Sequence, residues 1–393
     1  MKSNWQTKKL SDVCDFQNGF AFKSNLYKSN GLPILRITNI QNDFIKANDI
    51  VYFDYNDYRE NFEKYKVFKN DLVIAMSGAT TGKLGINTTE TIFYLNQRVG
   101  KFLPKKGLLK DFLYHYLSTK IEENLRISAG AAQPNLSTEQ IKNFSIPFPP
   151  LPEQKRIVAI LDKVFVAITK AKENAEKNLQ NARELFESYL QNIFANPGDG
   201  WEKKKLGEIA NIEYGFTDKA KDIGDYRYIR ITDIDKNGNL KKENKVFIDF
   251  SEETKKFLLK DGDLLMARTG ATYAKVLLYE NVEKSIFASY LIRINFKVNF
   301  INKLYWYFSK SRIYWDQANK LFSGSAQPQF NGGALKELIF CFPKSFHDQK
   351  SIVTKLDTLS AETKKLETIY KQKLADLEEL KKSILQKAFN GEL

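Results

Sequence analysis

Gln154-Lys155-Arg156-Ile157-Val158-Ala159-Ile160-Leu161-Asp162 decides the fold, because the chain contains its pattern twice. It returns as Gln349-Lys350-Ser351-Ile352-Val353-Thr354-Lys355-Leu356-Asp357, with Gln-Lys, Ile-Val and Leu-Asp in register at an offset of 195 residues. Each copy opens a long segment. Residues 153–194 contain neither Gly nor Pro, and apolar or small residues fall at 157, 161, 164, 168, 171, 175, 182, 185 and 189. Steps of three and four make a heptad seam, the pattern of a helix packed along another helix. Residues 348–389 repeat the lattice. Leu161, Val164, Ile168 and Leu185 are answered by Leu356, Leu359, Thr363 and Leu380, and Ala171 by Leu366. Asn178 and Lys373, again 195 apart, are polar seam positions, which lower stability and fix register. Each helix could instead pack on its own globular part, but no other segment is long enough to cover either stripe, so the two are expected to form one antiparallel coiled coil. At ~1.5 Å per residue each is a rod on the order of 63 Å, with a globular part at either end and a pseudo-two-fold axis between them.

Outward from this segment the duplication continues. Trp5, Lys8, Lys9, Leu10 and Val13 match Trp201, Lys204, Lys205, Leu206 and Ile209 at an offset of 196, as Gly19-Phe20 matches Gly215-Phe216. Ile34–Ile40 matches Tyr228–Ile234 at 194. Asp71-Leu72-Val73, leading to Gly78-Ala79-Thr80 and Lys83, matches Asp263-Leu264-Leu265, leading to Gly270-Ala271-Thr272 and Lys275, at 192. Ala132-Gln133-Pro134 matches Ala326-Gln327-Pro328 at 194. Ordered matches with so little drift establish an internal repeat. The copies differ most at 41–60 against 235–255, where loops are expected. A shared scaffold with divergent loops suits one task performed on two targets.

Ahead of each helix lies an α+β globular part. In the first, short β-branched and aromatic runs at Leu32–Ile40, Asp49–Phe53, Asp71–Met76 and Gly100–Leu103 read as strands, followed by a helix near Leu108–Asn124. Pro147-Phe148-Pro149-Pro150 closes it, and Asn196-Pro197-Gly198-Asp199-Gly200 is turn chemistry that stops the first helix. The expected organisation is globular at 1–150 and 197–345 and helical at 151–196 and 346–393.

The chain has 393 residues, with 61 Lys+Arg against 47 Asp+Glu, a net charge of +14. Such a surplus suits an acidic partner, nucleic acid first and a membrane surface second, although a generally Lys-rich composition gives the same number. Hydrophobic residues at 42% and charged residues at 27% argue for a folded domain rather than disorder. Two cysteines and two histidines are too few for a disulfide framework or a metal centre. No run of about 18 apolar residues exists, and Met1–Leu10 lacks an apolar stretch behind its charges. The expectation is a cytoplasmic protein without membrane contact.

Catalytic patterns are missing. Gly78-Ala79-Thr80-Thr81-Gly82-Lys83 comes near a phosphate-binding P-loop, but it has three residues between its glycines and Leu84 after the lysine. A P-loop needs four, and then Ser or Thr for magnesium. The second copy has Ala274 in place of the second glycine. Nucleotide hydrolysis is therefore rejected. The segment is either a turn that needs glycine's backbone freedom, or a surface whose hydroxyls and lysine meet phosphate oxygens or base edges. No Asn-Pro-Pro-aromatic tetrapeptide, glycine-rich cofactor loop or acidic nuclease cluster is present, so no catalytic residue, metal ligand or cofactor is assigned. His115 reads as a packed helix residue and His347 as a helix junction. Basic and aromatic residues remain. The DNA-contact candidates are Arg36, Thr80, Lys83 and Arg98 in the first copy, and Arg230, Arg268, Thr272, Tyr273 and Lys275 in the second, as arginine and lysine suit guanine and phosphate. Arg36 and Arg230 are equally open to a structural role, paired to an acid.

In this order of motifs the chain resembles the specificity subunit of type I restriction–modification systems. The resemblance rests on the Trp-x-x-Lys-Lys-Leu opening of each half, the Gly-Ala-Thr and Ala-Gln-Pro segments, Pro149–Ile157 leading into a long helix, and the closing Phe389–Leu393. It covers nearly the whole chain. It departs at Pro343–Gln349, where Pro-Leu-Pro-Glu-Gln is not repeated. The resemblance implies two target-recognition domains, each reading one half of an interrupted double-stranded DNA sequence, and a non-catalytic role. It implies helices that space these domains and dock two modification subunits, which use S-adenosylmethionine. It also implies restriction subunits that use ATP and magnesium. The alternatives are an enzyme with an unrecognised site, the DNA-binding subunit of a related two-part restriction enzyme, and a non-specific DNA-bridging coiled-coil protein.

Overall fold

The computed structural model describes residues 5–41, 43–128, 135–235, 237–280, 283–321 and 330–393, with the side chains of 43 and 121–128 excepted. Ala132-Gln133-Pro134 and Ala326-Gln327-Pro328 lie outside the described residues. The chain divides into two compact units, Met1–Ala175 with Lys373–Leu393, and Glu176–Gln372. The compact units cut the chain inside the long helices, so each globular part keeps a segment of both.

In the first unit a five-stranded sheet orders Cys14–Asn18, Val99–Pro104, Leu72–Ala75, Leu84–Ile86 and Asp43–Phe44. A four-stranded sheet orders Val51–Phe53, Leu32–Leu35, Phe93–Leu95 and Lys66–Val67. Gln6–Lys9 pairs antiparallel with Ser145–Phe148 and ties the domain's start to its end. The second unit repeats the plan. Ala210–Tyr214, Leu291–Phe296, Leu264–Ala267 and Val276–Leu278 form one sheet, and Phe247–Ile248, Tyr226–Ile229 and Ser285–Phe287 the other.

The central strand of each unit carries the architecture. Leu72 and Ile74 point into a core shared with the helices, while Val73 and Ala75 point into a core between the two sheets. Leu264 and Met266 divide from Leu265 and Ala267 in the same way. Successive strand side chains alternate faces, so a strand with a layer on each side must be apolar throughout.

One expected strand is shorter than the sequence suggested. The run to Ile40 leaves the sheet at Leu35 and becomes a 3-10 turn, Ile37–Asn39. The Arg36 N–H donates to Asn39 Oδ1 at 3.1 Å, a local bond that competes with the ladder. In the second unit Arg230 N–H and Asp233 Oδ2 do the same at 2.8 Å.

The long helices run over Leu151–Ala195 and Phe346–Asn390. They pair antiparallel within each unit. In the first unit Lys172 bridges Glu378 at 2.6 Å, Lys381 lies over the Phe165 ring, and Arg156 donates to the Leu393 carbonyl. In the second unit Arg183 bridges Glu367 at 3.2 Å, and Leu190, Phe194, Val353 and Leu356 share one core. Moving from 172 to 183 on one helix moves from 378 to 367 on the other.

The seam differs from the expected lattice. Leu161, Ile168 and Leu356 are buried, and Val164 and Leu359 half-buried. Asn178 and Lys373 are exposed, as are Leu185, Leu366 and Leu380, with Leu185 60% exposed. Leu179, Phe186 and Leu374, one position on, turn inward instead. Two causes combine. Burying an unpaired amide and ammonium is costly, so both stay in water. Phe186, Tyr189 and Ile193 pack against the second domain's own core, which rotates that end of the helix away from a strict heptad.

Candidate nucleic-acid interface

Each unit gathers its candidates at one corner, where the central strand ends. In the first unit Ala75 N–H donates to the Lys83 carbonyl at 2.9 Å and Met76 N–H to the Arg98 carbonyl at 2.8 Å. Thr80 Oγ1 donates to the Ile37 carbonyl at 3.2 Å, which joins the Gly-Ala-Thr turn to the turn that Arg36 opens. Four residues spread over 63 positions of sequence thus meet. In the second unit Ala267 N–H reaches the Lys275 carbonyl at 2.9 Å, Arg268 N–H the Tyr290 carbonyl at 3.0 Å, and Thr272 Oγ1 the Ile231 carbonyl at 3.3 Å. The chain after each Ala-Gln-Pro segment returns here too. Leu136 N–H donates to the Met76 carbonyl, and Phe330 N–H to the Arg268 carbonyl.

Within this frame several candidates have structural duties. Both threonines spend their hydroxyls on backbone carbonyls. Arg36 donates to the Asp49 carbonyl at 2.7 Å, and Arg230 pairs with Asp233 at 3.3 Å. The Asp233 position in the first unit is Asn39, which leaves the Arg36 charge without a carboxylate there. Lys83 and Lys275 are half-buried. Tyr273 donates to Asn319 Oδ1 at 2.7 Å and meets Trp315 edge-on.

The Gly-Ala-Thr segment is a 3-10 turn in both units, with Gly78 and Gly270 at φ +78° and +76°. Gly82 at +83° is followed in the second unit by Ala274 at +60°, a left-handed conformation that an L side chain adopts at a cost. Among the described residues no group of His, Cys, Asp and Glu could hold a metal ion. Burial pushes the Cys14 thiol up to about 12, which suits packing rather than reactivity.

The corners differ in where the cation stands. Arg98 is exposed in the first unit, and its counterpart is Tyr290, 53% exposed. The second unit's cation is Arg268, where the first unit has buried Met76. The Arg268 guanidinium lies between the Tyr214 and Tyr290 rings, 5.3 and 5.4 Å from their centroids, a cation–π arrangement that fixes its plane. Tyr214 is held by Gly332, whose N–H donates to its hydroxyl at 2.8 Å. Sequence reading found Arg268 but missed both tyrosines. Their offset matches to Asn18 and Arg98, at the same strand ends, were the available signal.

Sequence reading also missed the glutamine clamp. Gln154 is fully buried, accepts from the Leu109 N–H at 2.9 Å and donates to the Gly107 and Pro149 carbonyls. Gln349 accepts from the Ile301 N–H at 2.9 Å and donates to the Pro343 carbonyl. The repeated Gln-Lys pair is thus a joint between helix and globular part. It survives in the second half although the proline-rich lead does not.

A family model described as the type I restriction modification DNA specificity domain matches residues 2–177 and again 198–378. The chain belongs to that family. It carries two tandem specificity domains and is the DNA-recognition component of a type I restriction–modification system, not a catalytic one. It is 24% identical to the StySPI specificity subunit of Salmonella potsdam and 25% identical to the EcoKI specificity subunit of Escherichia coli, each match covering all of this chain and 90% of the relative. The same fold is seen in a chain of a type I R-M system solved to explain complex assembly and conformational transition. That match has a TM-score of 0.80 at 17% identity, with 100% and 99% of the two chains covered. The HsdS subunit from Thermoanaerobacter tengcongensis matches with a TM-score of 0.66 at 18% identity, covering 100% and 98%.

Proposed function

We propose that each globular part reads one half of a bipartite double-stranded DNA target through the corner at the end of its central strand. The observation that carries this reading is the corner built twice on one frame with its cation moved, Arg98 in one half and Arg268 in the other. Divergent side chains on a common frame are what two different half-sites require. Thr80, Lys83, Arg36 and their counterparts Thr272, Lys275 and Arg230 hold the frame or meet phosphates, and Tyr273 braces the second corner.

The long helices space the two domains and dock two modification subunits. Exposed apolar residues on them suit such docking: Val166 and Leu380 in the first unit, Leu185, Leu366 and Ile369 in the second. S-adenosylmethionine belongs to those subunits, and ATP with magnesium to restriction subunits that join them. This chain supplies no cofactor to either reaction and works in the cytoplasm. Among the described residues no helix is long and apolar enough to cross a membrane.

Domain exchange tests the reading. Residues 1–150 are replaced by the equivalent domain of a relative, and methylated bases are mapped in cells carrying the assembled system. One half of the target should change and the other persist. A change in both halves, or in neither, would overturn modular recognition. Removing one heptad from each helix should shorten the spacing by about 10 Å, or about three base pairs, while the half-sites survive.

A further inference from the structure

The second unit holds a cavity of about 700 Å³ between the strand Tyr226–Ile229, the turn after Gly238, the helix Asn302–Phe308 and the long helix around Asp357–Lys364. Its lining is strongly cationic. Arg227, Lys241, Lys242, Lys245, Lys303 and Lys364 contribute six positive charges, against three carboxylates, Glu280, Glu283 and Asp357. Two of the carboxylates are already engaged. Glu283 takes Arg227 at 2.9 Å and Lys245 at 2.8 Å. Although burial opposes it, these hydrogen bonds hold its carboxyl below the usual range. Asp357 takes Lys303 at 2.8 Å and the Tyr307 hydroxyl at 2.6 Å. Lys242 and Lys364 have no carboxylate within ion-pair distance among the described residues, and both are exposed. Arg227 is only 3% exposed, and its Nε has no hydrogen-bond partner.

The potential is felt behind the wall. Lys310 stands 3.3 Å over the Trp306 ring. Burial, then the charges of Lys364 and Lys303, lower it to about 7 against the opposing pull of Asp235. Burial does most of this, and the two cavity lysines that lower it further show that positive charge crowds this side of the unit.

The first unit offers a control built on the same frame. The matched glutamine clamps align Ile301 with Leu109 and Gln349 with Gln154. At these offsets Lys303 becomes Asp111, Lys310 becomes Ser118 and Lys364 becomes Thr169, and at the strand offset of 194 Arg227 becomes Pro33. A requirement of the shared frame would appear in both halves, but of the six cations only Lys241 recurs, as Lys46, whose N–H makes the matching bond to the Asn39 carbonyl.

We propose that this cavity binds adjacent phosphates, either of a free nucleoside polyphosphate or of the DNA backbone. Phosphate suits it better than a single carboxylate does. Lysines on separate elements converge as point charges, and several phosphate oxygens can share them. The pocket is also of the size that accepts a nucleotide. The site does not depend on how the half-sites are read.

The full chain and its Lys242→Ala/Lys364→Ala double variant test the proposal, with thermal unfolding checking that these exposed positions leave the fold intact. Pyrophosphate and ATP are titrated calorimetrically at pH 7 in two buffers of different ionisation enthalpy. If the source is a free polyphosphate, the variant should bind at least about tenfold more weakly, since a charged hydrogen bond is lost at each lysine. Binding to the unaltered chain should also take up a fraction of a proton, because the anion raises Lys310. If the source is DNA, pyrophosphate and ATP bind weakly. The slope of log affinity against log salt for duplex DNA then falls by about two in the variant, with sequence preference unchanged. Unchanged polyphosphate binding together with an unchanged salt slope overturns the site. Capture of an acidic partner segment with both of those unaffected would assign the cavity to a protein instead, and equally overturns it. Loss of half-site modularity under domain exchange leaves either result standing.

Discussion

Where the first half sets His115 against Asp162 at 3.0 Å, the second sets Tyr307 against Asp357 at 2.6 Å. Where the first buries Lys101 against Asp71 and the Lys66 carbonyl, the second buries Arg293 against Asp263, Glu213 and the carbonyls of Lys256 and Leu258. The anchoring positions are common to both halves, while the groups that fill them are not. A duplicated frame tolerates this exchange when the replacement satisfies the same buried partners, because an unmade buried hydrogen bond costs more than a made one contributes. The halves have therefore diverged in chemistry at places where their geometry is fixed.

The difference can be broken most severely at the buried cations. Arg293→Met should destabilise the second unit by about 3 kcal/mol, because it strands two carboxylates and two carbonyls. Lys101→Met should cost the first unit about half of that, having fewer partners. Urea unfolding of the two variants would measure both, and equal losses would mean that the extra partners of Arg293 are idle. Gln154→Ala and Gln349→Ala come next, at about 2 kcal/mol each, since each leaves buried backbone groups unpaired. Hydrogen exchange should show the loss at Leu109 in one variant and at Ile301 in the other, each confined to its own half.

A smaller effect with opposite signs separates the two turns. Ala274→Gly should stabilise the second unit by up to about 1 kcal/mol by relieving a left-handed alanine, while Gly82→Ala should destabilise the first by about the same amount. Thermal melts that moved in the same direction would show that the turns are not equivalent. The smallest effect is at the helix pairs. Arg183 and then Lys371 hold the Glu367 carboxyl below its ordinary value against the effect of burial, and Lys172 does the same for Glu378. A depressed carboxylate stabilises the folded state above its unfolded value, and that contribution is lost as pH falls through the folded value. Acidification below the ordinary glutamate range should therefore loosen the helix pairs, each by less than about 1 kcal/mol. Helical content followed against pH would detect it, and Glu367→Gln with Glu378→Gln should flatten the curve.

The antiparallel direction of the helix pair was an expectation, and the Lys172–Glu378 and Arg183–Glu367 bridges bear it out; by itself the sequence determined the duplication, the α+β class and the two long helices. These follow from periodicity, and a pattern repeated at offset 195 leaves one economical way to cover two apolar stripes. It also marked the corner residues, since glycine turns and cations cluster at strand ends. Only the tertiary structure decided which face of each helix is buried. Asn178 and Leu185 turned outward and Leu179 and Phe186 inward, because the domain core competes with the partner helix for the same side chains. It alone showed that Thr80 and Thr272 brace the frame, and that Arg268 is held between Tyr214 and Tyr290. It also explained the repeated glutamine as a joint. Such contacts join residues dozens to more than a hundred positions apart. Spacing along a chain reports which face of an element a residue occupies, but not which distant group will stand opposite it.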